Sequence, residues 1–136
     1  MKIEYSRVNT LALSDFIDVL RRSGLAERRP VDDEARIARM LQNSNLIIIA
    51  RDVDSDALVG VARSITDYAY CCYISDLAVD KRFQFQGIGT RLINETRAAV
   101  GPESMCLLVS SPDALPFYRA IGMPQIENAF LYRRER

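Results

Sequence analysis

The sequence contains no histidine. This absence excludes a histidine general base, a Ser-His-Asp triad and any metal site with a histidine ligand. Acid–base chemistry must therefore come from carboxylates, tyrosine, cysteine, lysine or water. Cysteine is also scarce, because the chain has only Cys71, Cys72 and Cys106. An odd total with two adjacent members argues against a disulfide framework and for the reducing cytoplasm.

The chain also lacks an excess of charge and a long apolar run. Lys plus Arg and Asp plus Glu both total 18, which argues against a dedicated nucleic-acid-binding protein. No apolar run approaches the roughly 20 residues that a membrane helix needs, and residues 1–7 lack the apolar core of a signal peptide. We therefore expect one cytoplasmic domain over residues 1–136, with neither nucleic acid nor membrane as partner.

Hydrophobic periodicity predicts an order of β-α-α-β-β-β-α-β-α-β, which is a three-layer α/β/α fold with a mixed central sheet. The predicted strands are residues 2–8, 46–50, 58–65, 70–79, 105–109 and 130–133. The predicted helices are residues 13–24, 32–41, 88–100 and 114–121. With Asp113 as N-cap, Pro116 falls at the third position of the last helix, where its missing N–H costs nothing.

A glycine-containing loop joins a predicted strand to the third predicted helix. Gly87 and Gly89 have no Cβ, so a ligand can approach the main chain closely. The free N–H groups and the positive dipole end of the helix favour a phosphorylated ligand. The alternative is an ordinary tight turn. The loop is not a P-loop, because no Gly-Lys-Ser/Thr follows, and Leu92 replaces the third glycine of a dinucleotide-binding loop.

Three segments together resemble one known family. Residues 84–89 read QFQGIG and fit the pattern Gln/Arg-x-x-Gly-x-Gly/Ala. The strand before them ends in DLAV at residues 76–79, and residues 114–123 read ALPFYRAIGM. Because all three occur in the expected order, the chain resembles the GCN5-related N-acetyltransferase (GNAT) superfamily over nearly its whole length.

The resemblance implies an acetyl-CoA-dependent N-acetyltransferase that acts by direct transfer in a ternary complex, without a metal. Main-chain N–H groups after residue 85 would hold the pyrophosphate, and the strand before the loop would hold the pantetheine arm. Ser111 replaces an asparagine of many relatives but can still form a hydrogen bond. The implied coenzyme site comprises Leu77, Ala78, Val79, Gln84, Phe85, Gln86, Gly87, Ile88, Gly89, Thr90 and Ser111.

Tyr118 is the general acid that the resemblance implies; the alternative is a plain core aromatic. A phenol with a pKa near 10 can return a proton to a leaving thiolate. The base is less defined, because Tyr73 and Ser75 occupy its usual sites and can only hold a water. Asp76 is the one carboxylate on that strand, and alternation turns it away from Tyr73 and Ser75 unless a bulge intervenes. Asp76 is therefore either the base or a structural hydrogen-bond acceptor, and a water chain can also suffice.

Two further groups of residues are candidates for an acceptor site. Arg21, Arg22, Arg28 and Arg29 cluster around the first inter-helix loop, where they can attract an acidic acceptor or the 3′-phosphate of the coenzyme. The composition favours the alternative of a solvated surface. Arg63, Asp67 and Tyr68, near the hairpin that joins two central strands, are further candidates for the acceptor site.

The acceptor is a small-molecule amine or a protein amine. One alternative function is a non-catalytic module that binds acyl-CoA, and another is an acyltransferase for a different acyl group or acceptor. A homodimer through the C-terminal strand is expected only by analogy with the family.

Overall fold

The computed structural model describes residues 2–136, which contain four strands, four α-helices and three short 3-10 turns. The strands pair antiparallel in the order β1-β2-β3-β4. The elements are β1 (Ile3–Val8), α1 (Leu13–Ser23), α2 (Glu34–Gln42), β2 (Leu46–Asp52), β3 (Leu58–Thr66), β4 (Cys72–Val79), α3 (Ile88–Val100) and α4 (Leu115–Ala120). The 3-10 turns are Leu25–Arg28, Lys81–Phe83 and Pro112–Ala114.

The sheet is covered on both faces, as the sequence predicts. Phe16, Leu20 and Ile37 of α1 and α2 form a core with one face. Ile88 and Leu92 of α3 form a second core with the other face. The apolar run in β2 divides its side chains between these two cores, which explains why it does not alternate with polar residues. Within residues 2–136 no helix has the length and apolar character to cross a membrane.

The helix ends follow local chemistry. Gly24 ends α1 in the left-handed conformation, with φ at 88°. Asp33 caps α2 by accepting a hydrogen bond from the Arg36 N–H at 3.1 Å. The predicted start of α4 is wrong, because a 3-10 turn precedes the helix and Asp113 lies inside that turn. Pro116 is therefore the second residue of α4, where a missing N–H still has no cost.

The two C-terminal predicted strands are wrong as regular strands. The segment at Leu107 meets β4 in parallel, with Leu107 N–H donating to Cys72 O at 2.9 Å and Ile74 N–H donating to Leu107 O at 2.8 Å. Met105 N–H also donates to Tyr70 O at 3.0 Å, just before β4, but only the pair Tyr73–Leu107 forms a bridge in residues 2–136. Residues 130–133 form no strand, and Phe130 and Tyr132 are fully exposed. The regular sheet is therefore antiparallel, with one parallel bridge.

An extra residue, Ser75, interrupts the pairing of β4 with β3. Asp76 lies opposite Arg63, whereas Ile74 lies opposite Ser64, so Ser75 has no partner in the register. Such a bulge shifts the alternation of the strand by one residue. The Asp76 side chain therefore faces α1 and α2, on the same face as Arg63. Because of the bulge, the Asp76 side chain lies on the same face of the sheet as those of Tyr73 and Ser75, although strict alternation would turn it away from them.

A buried carboxylate ties the end of β4 to α1. Asp80 is 1% exposed and accepts hydrogen bonds from Arg22 Nη1 at 2.7 Å and from Arg82 N–H at 2.9 Å. Arg22 also donates to Leu58 O at 2.8 Å, so it links α1 with β3 and the loop after β4. Burial raises the pKa of Asp80, but the hydrogen bonds from Arg82 and Arg22 lower it further than burial raises it, so the net shift is downward.

Replacing Asp80 with Asn should lower the free energy of unfolding by about 2 kcal/mol at neutral pH, because hydrogen bonds to a charged group are lost. The folded pKa of Asp80 lies below its unfolded value. Its contribution is therefore complete above the unfolded pKa of about 4 and disappears as pH falls through the folded pKa. Urea unfolding from neutral to acidic pH checks this.

The difference in free energy of unfolding between wild type and Asp80→Asn should become smaller as the pH falls. Asp54→Asn is the control, because Asp54 is an exposed turn residue and its replacement should change stability little. A gap that stays constant with pH would contradict the electrostatic role of Asp80.

Candidate active site

The loop between β4 and α3 has an unusual main-chain conformation. Gly87 precedes α3 with φ at 84°, and a Cβ placed on it would meet no atom within 4 Å. Phe85 also has a positive φ, at 64°, which is strained for a residue with a side chain. Its ring is fully exposed. Such strain concentrates at sites that hold ligands. In this loop the Phe85 ring points into solvent, and the space beside Gly87 is open.

The amides of this loop form a cluster of free donors. The N–H groups of residues 86–90 have no hydrogen-bond acceptor anywhere in residues 2–136, and the first helical bond runs from Arg91 N–H to Gly87 O at 3.0 Å. No side chain caps α3. Consecutive free donors at the positive end of a helix are suited to a phosphate or diphosphate. These residues fit the pyrophosphate of coenzyme A.

Gly89 has a different role from Gly87. A Cβ on Gly89 would lie 2.9 Å from Cζ of Phe117, closer than real Cβ contacts allow. The missing side chain thus lets α4 pack on the first turn of α3. The Phe117 ring in turn makes an edge contact with the Tyr118 ring, with centroids 5.0 Å apart. Gly89 therefore lets Phe117, the neighbour of Tyr118 in α4, pack against the turn that carries the free amides.

The outer edge of β4 is open beyond Ile74. Ile74 N–H points to that edge, because it donates to Leu107 O. The bulge at Ser75 then turns the main-chain groups of Leu77 and Val79 outward, whereas strict alternation would turn those of Asp76 and Ala78 outward. Gln84 Nε2 donates to Val79 O at 3.0 Å and ties the loop to this edge.

The remaining predicted coenzyme residues differ in burial and in the element that carries them. Ala78 points into the core under α1, is 3% exposed and pairs with Val61 of β3, so neither its side chain nor its main-chain groups face the open edge, and the prediction that Ala78 contacts the coenzyme is not supported by the geometry. Ser111 is half-buried and begins the 3-10 turn before α4. Ile88 faces the core, and Thr90 is half-buried. The structure thus places residues 77–79 at the end of β4 and residues 84–90 directly after them, whereas Ser111 lies in the segment before α4.

Tyr118 is half-buried and its hydroxyl has no hydrogen-bond partner in residues 2–136. Burial raises the pKa of the phenol above its ordinary value, and the Arg29 guanidinium opposes part of that rise. The phenol is therefore protonated at neutral pH, which is the state that a general acid needs.

Asp76 lies at the centre of a buried ion-pair network, the Asp76 network, formed with Arg29 and Arg63. Arg29 Nε donates to Asp76 Oδ1 at 2.5 Å, and Arg63 Nε donates to Asp76 Oδ2. Asp76 is fully buried and Arg63 is nearly so. Because both carboxylate oxygens are paired with guanidinium groups, the geometry favours the structural role of Asp76 over that of a base.

The two other candidates for the base site lie beside this network. Ser75 Oγ accepts a hydrogen bond from Arg63 Nη2 at 2.8 Å. Tyr73 lies opposite Ile65, and its side chain is 40% exposed. Neither side chain is a carboxylate, so a bound water remains the route that they can offer.

The arginine cluster divides into two pairs. Arg21 and Arg28 are exposed, as a solvated surface predicts. That prediction is wrong for Arg22 and Arg29, which pair with the buried Asp80 and Asp76. One signal in the sequence was available: an acidic residue in an apolar strand needs a cation, and the strand before the loop contains such a residue.

Asp67 and Tyr68, two of the hairpin candidates for an acceptor site, have local hydrogen-bond partners. Asp67 Oδ1 accepts hydrogen bonds from the main-chain N–H groups of Cys71, Ala69 and Tyr70, which lower the Asp67 pKa to about 2. Tyr68 accepts a hydrogen bond from Arg7 Nη2 at 2.5 Å and donates to the Asn45 carbonyl at 2.6 Å. Both side chains therefore hold the hairpin in place.

The cysteines offer no activated nucleophile. Cys71 is exposed and Cys72 is buried, so the adjacent pair faces two different environments. Burial beside Cys72 raises the pKa of Cys106 to about 11, so its thiol is protonated at neutral pH. Acyl transfer through a cysteine therefore has no support from the geometry.

Comparison with known proteins identifies relatives of the whole arrangement. A family model described as an acetyltransferase (GNAT) domain matches residues 20–132. An uncharacterized N-acetyltransferase of Porphyra purpurea is 34% identical over 88 residues, which cover 60% of this chain and 49% of that protein. The chain thus spans about half the length of this curated relative.

Solved structures show the same fold. A GNAT-family acetyltransferase from Streptococcus pneumoniae has a TM-score of 0.70 at 23% identity, covering 98% of this chain and 100% of that one. An aminoglycoside N-acetyltransferase solved in complex with CoA has a TM-score of 0.70 at 18% identity, covering 98% and 95%. The predicted fold class is therefore confirmed.

Replacing Asp76 with Asn separates its two interpretations. Because the substitution leaves Arg29 and Arg63 without their shared anion, the free energy of unfolding should fall by about 3 kcal/mol. Denaturant unfolding measures this, with the exposed Asp32→Asn as a control for loss of one surface charge. A variant as stable as wild type would show that the network does not hold the fold, and would return Asp76 to the list of bases.

Proposed function

Because the chain belongs to the GNAT acetyltransferase family, we propose that it transfers the acetyl group of acetyl-CoA directly to a primary amine in a ternary complex. The main support is the set of partnerless amides of residues 86–90 at the start of α3. They follow the open edge of β4 along the chain, and Phe117, the neighbour of Tyr118, packs against Gly89. We further propose that residues 1–136 act as one acetyltransferase domain.

The loop and β4 would share the coenzyme between them. The amides of residues 86–90 would bind its pyrophosphate, since they are free donors at the positive end of α3. The outward main-chain groups of Leu77 and Val79 would pair with its pantetheine arm, and an N–H there can face the thioester oxygen. Bound in this way, acetyl-CoA supplies the activated acetyl group.

Tyr118 would act as the general acid. A leaving thiol resembles cysteine, with a pKa of about 8.5, so a protonated phenol can return a proton to it. The acceptor amine must also lose a proton. Asp76 is closed by its two guanidinium partners, so a water held near Tyr73 and Ser75 would take that proton.

The acceptor class is proposed from a structural neighbour. The neighbour solved with CoA is an aminoglycoside N-acetyltransferase, so a small-molecule amine is the acceptor that we propose first. A protein amine is the alternative. The free thiols suit a cytoplasmic enzyme. The exposed Phe130 and Tyr132 side chains near the C-terminus are consistent with a homodimer.

One observation favours a second function. Asp76, the one carboxylate of β4, is paired on both oxygens and is not a free base, so a module that binds acyl-CoA without catalysis fits the same residues. Titration of acyl-CoA of different chain lengths, followed by assay of thiol release with a panel of amines, distinguishes the two. Binding without release for any acyl chain would favour the non-catalytic module, and preference for a longer chain would favour a different acyl donor.

Gly87→Asp should weaken the binding of acetyl-CoA about 100-fold or more, because a side chain and a negative charge enter the open space beside the free amides. Isothermal titration calorimetry measures the affinity. Gly101→Asp is a matched control, since Gly101 also has positive φ and open surroundings but lies at the opposite end of α3. Equal affinities of wild type and a folded Gly87→Asp variant would remove the loop from the site.

Tyr118→Phe should lower kcat about 100-fold with little change in the Kd of acetyl-CoA, because the variant keeps the ring and loses only the proton. Steady-state thiol release and calorimetry give the two values. Tyr70→Phe, at an exposed hairpin tyrosine, is the control. Wild-type kcat in Tyr118→Phe would refute the acid role.

A further inference from the structure

We propose that Arg29 binds a carboxylate of the acceptor, and that the acceptor is a free α-amino acid with an apolar side chain. This inference rests on the proposed acetyl transfer and narrows its acceptor class. In an α-amino acid the amine and the carboxylate are attached to one carbon. A site for such a molecule must therefore hold a cation directly beside the position of the amine.

Arg29 is fixed beside the proposed position of the amine. Its Nη2 donates to the Ser75 carbonyl at 2.7 Å, and its Nε donates to Asp76 Oδ1 at 2.5 Å. Its Nη1 donates to the Arg28 carbonyl at 2.8 Å. Because three acceptors hold the guanidinium, it stays next to Ser75, where the amine would give up its proton to a bound water.

The fixed guanidinium of Arg29 keeps donors for a ligand. A guanidinium has five N–H groups, and the three hydrogen bonds of Arg29 use three of them. One N–H on Nη1 and one on Nη2 have no acceptor in the part of the chain that the structure describes. The side chain is 21% exposed, so a ligand can reach it from solvent. Two N–H groups of one guanidinium are suited to a carboxylate, which can accept both.

The charge of the Asp76 network also favours an anion at this place. Two guanidiniums share the single carboxylate of Asp76. Arg63 has further support, because its Nη1 donates to Ser44 Oγ at 2.9 Å and to the Met40 carbonyl at 3.3 Å, at the negative end of the α2 dipole. The further partners of Arg29 are only two loop and strand carbonyls. The positive charge that lacks an anion therefore lies at Arg29.

An exposed apolar pair lies on the same face of the sheet. Ile65 and Tyr73 are opposite each other in β3 and β4, so their side chains are neighbours. The bulge at Ser75 places the Asp76 side chain, and with it Arg29, on this face. Ile65 is 48% exposed and Tyr73 is 40% exposed. The pair offers an apolar surface for the side chain of an amino acid whose carboxylate is bound by Arg29.

This arrangement distinguishes a free amino acid from a protein amine. The N-terminal residue of a protein has a peptide group where a free amino acid has its carboxylate, and a lysine side chain has no anion near its amine. Either acceptor would leave the Arg29 guanidinium without an anion. The geometry therefore favours the free amino acid over both.

The first test compares matched pairs of amines with the wild-type protein. Phenylalanine is paired with phenylalaninamide and leucine with leucinamide, because each amide keeps the shape of the amino acid and removes its negative charge. Steady-state thiol release from acetyl-CoA gives kcat/KM for each amine. The amino acid should exceed its amide about 50-fold, since hydrogen bonds between charged groups are lost in the amide. Equal values, or a preference for the amides, would overturn the inference.

Substitutions of Arg29 test whether this residue is the origin of the preference. Arg29→Gln should lower kcat/KM for the amino acids about 50-fold and leave that for the amides close to wild type. Arg29→Lys keeps the charge without the planar fork, so it should recover part of the preference. Arg28→Gln removes an exposed charge one residue earlier and should change neither value. An equal loss for amino acids and amides would show that Arg29 only supports the fold.

Binding separates this inference from the proposed function. Calorimetric titration of phenylalanine and phenylalaninamide into the protein saturated with CoA measures acceptor binding without catalysis. Thiol release with both amines and no preference in binding overturns the role of Arg29 alone. Preferred binding of phenylalanine without thiol release supports the carboxylate site and overturns the acetyl transfer. If Arg29→Gln does not fold, the wild-type comparisons still decide, because they need no variant.

Discussion

One extra residue in β4 determines both which main-chain groups lie at its open edge and where the Asp76 side chain points. Ser75 has no partner in β3, so the strand alternation shifts at this point. The shift turns the main-chain groups of Leu77 and Val79 to the open edge and the Asp76 side chain to the buried face. In a β4 without the bulge, the edge would present other groups and Asp76 would lie among the apolar side chains of α3. The open edge of β4 and the ion pairs of the Asp76 network therefore both depend on Ser75.

The Asp76 network gives the bulge its fixed geometry. Arg29 binds both the Ser75 carbonyl and the Asp76 carboxylate, and Arg63 binds the same carboxylate and the Ser75 hydroxyl. A buried ion pair of this kind adds little net stability compared with apolar packing, but it demands defined positions for all its members. It thereby connects the loop before α2 with the strand whose open edge we propose binds the coenzyme.

Local sequence signals predicted the elements that depend on local chemistry. The glycine loop, the end of α1 at Gly24 and the buried run in β2 all follow from residue type and spacing. The partners of Asp76 and Asp80 could not be predicted in the same way, because Arg29 and Arg22 lie 47 and 58 residues away in the chain. The bulge was equally hidden, since an extra residue shows only when two strands are placed in register. The segment at 105–109 failed as a regular strand because its apolar pattern says nothing about the edge that it must pair with.

The open edge of β4 has a consequence for the behaviour of the protein in solution. A row of unpaired N–H and C=O groups is a template on which a strand of another chain can add, and natural sheets normally cover or interrupt such rows. Within residues 2–136 the outward main-chain groups of Leu77 and the Val79 N–H have no strand partner, while Gln84 Nε2 binds Val79 O. Apolar residues such as Phe130 are exposed close to the C-terminus. A coenzyme arm on that edge would occupy the same groups. Occupancy by the coenzyme and edge-to-edge aggregation would then exclude each other.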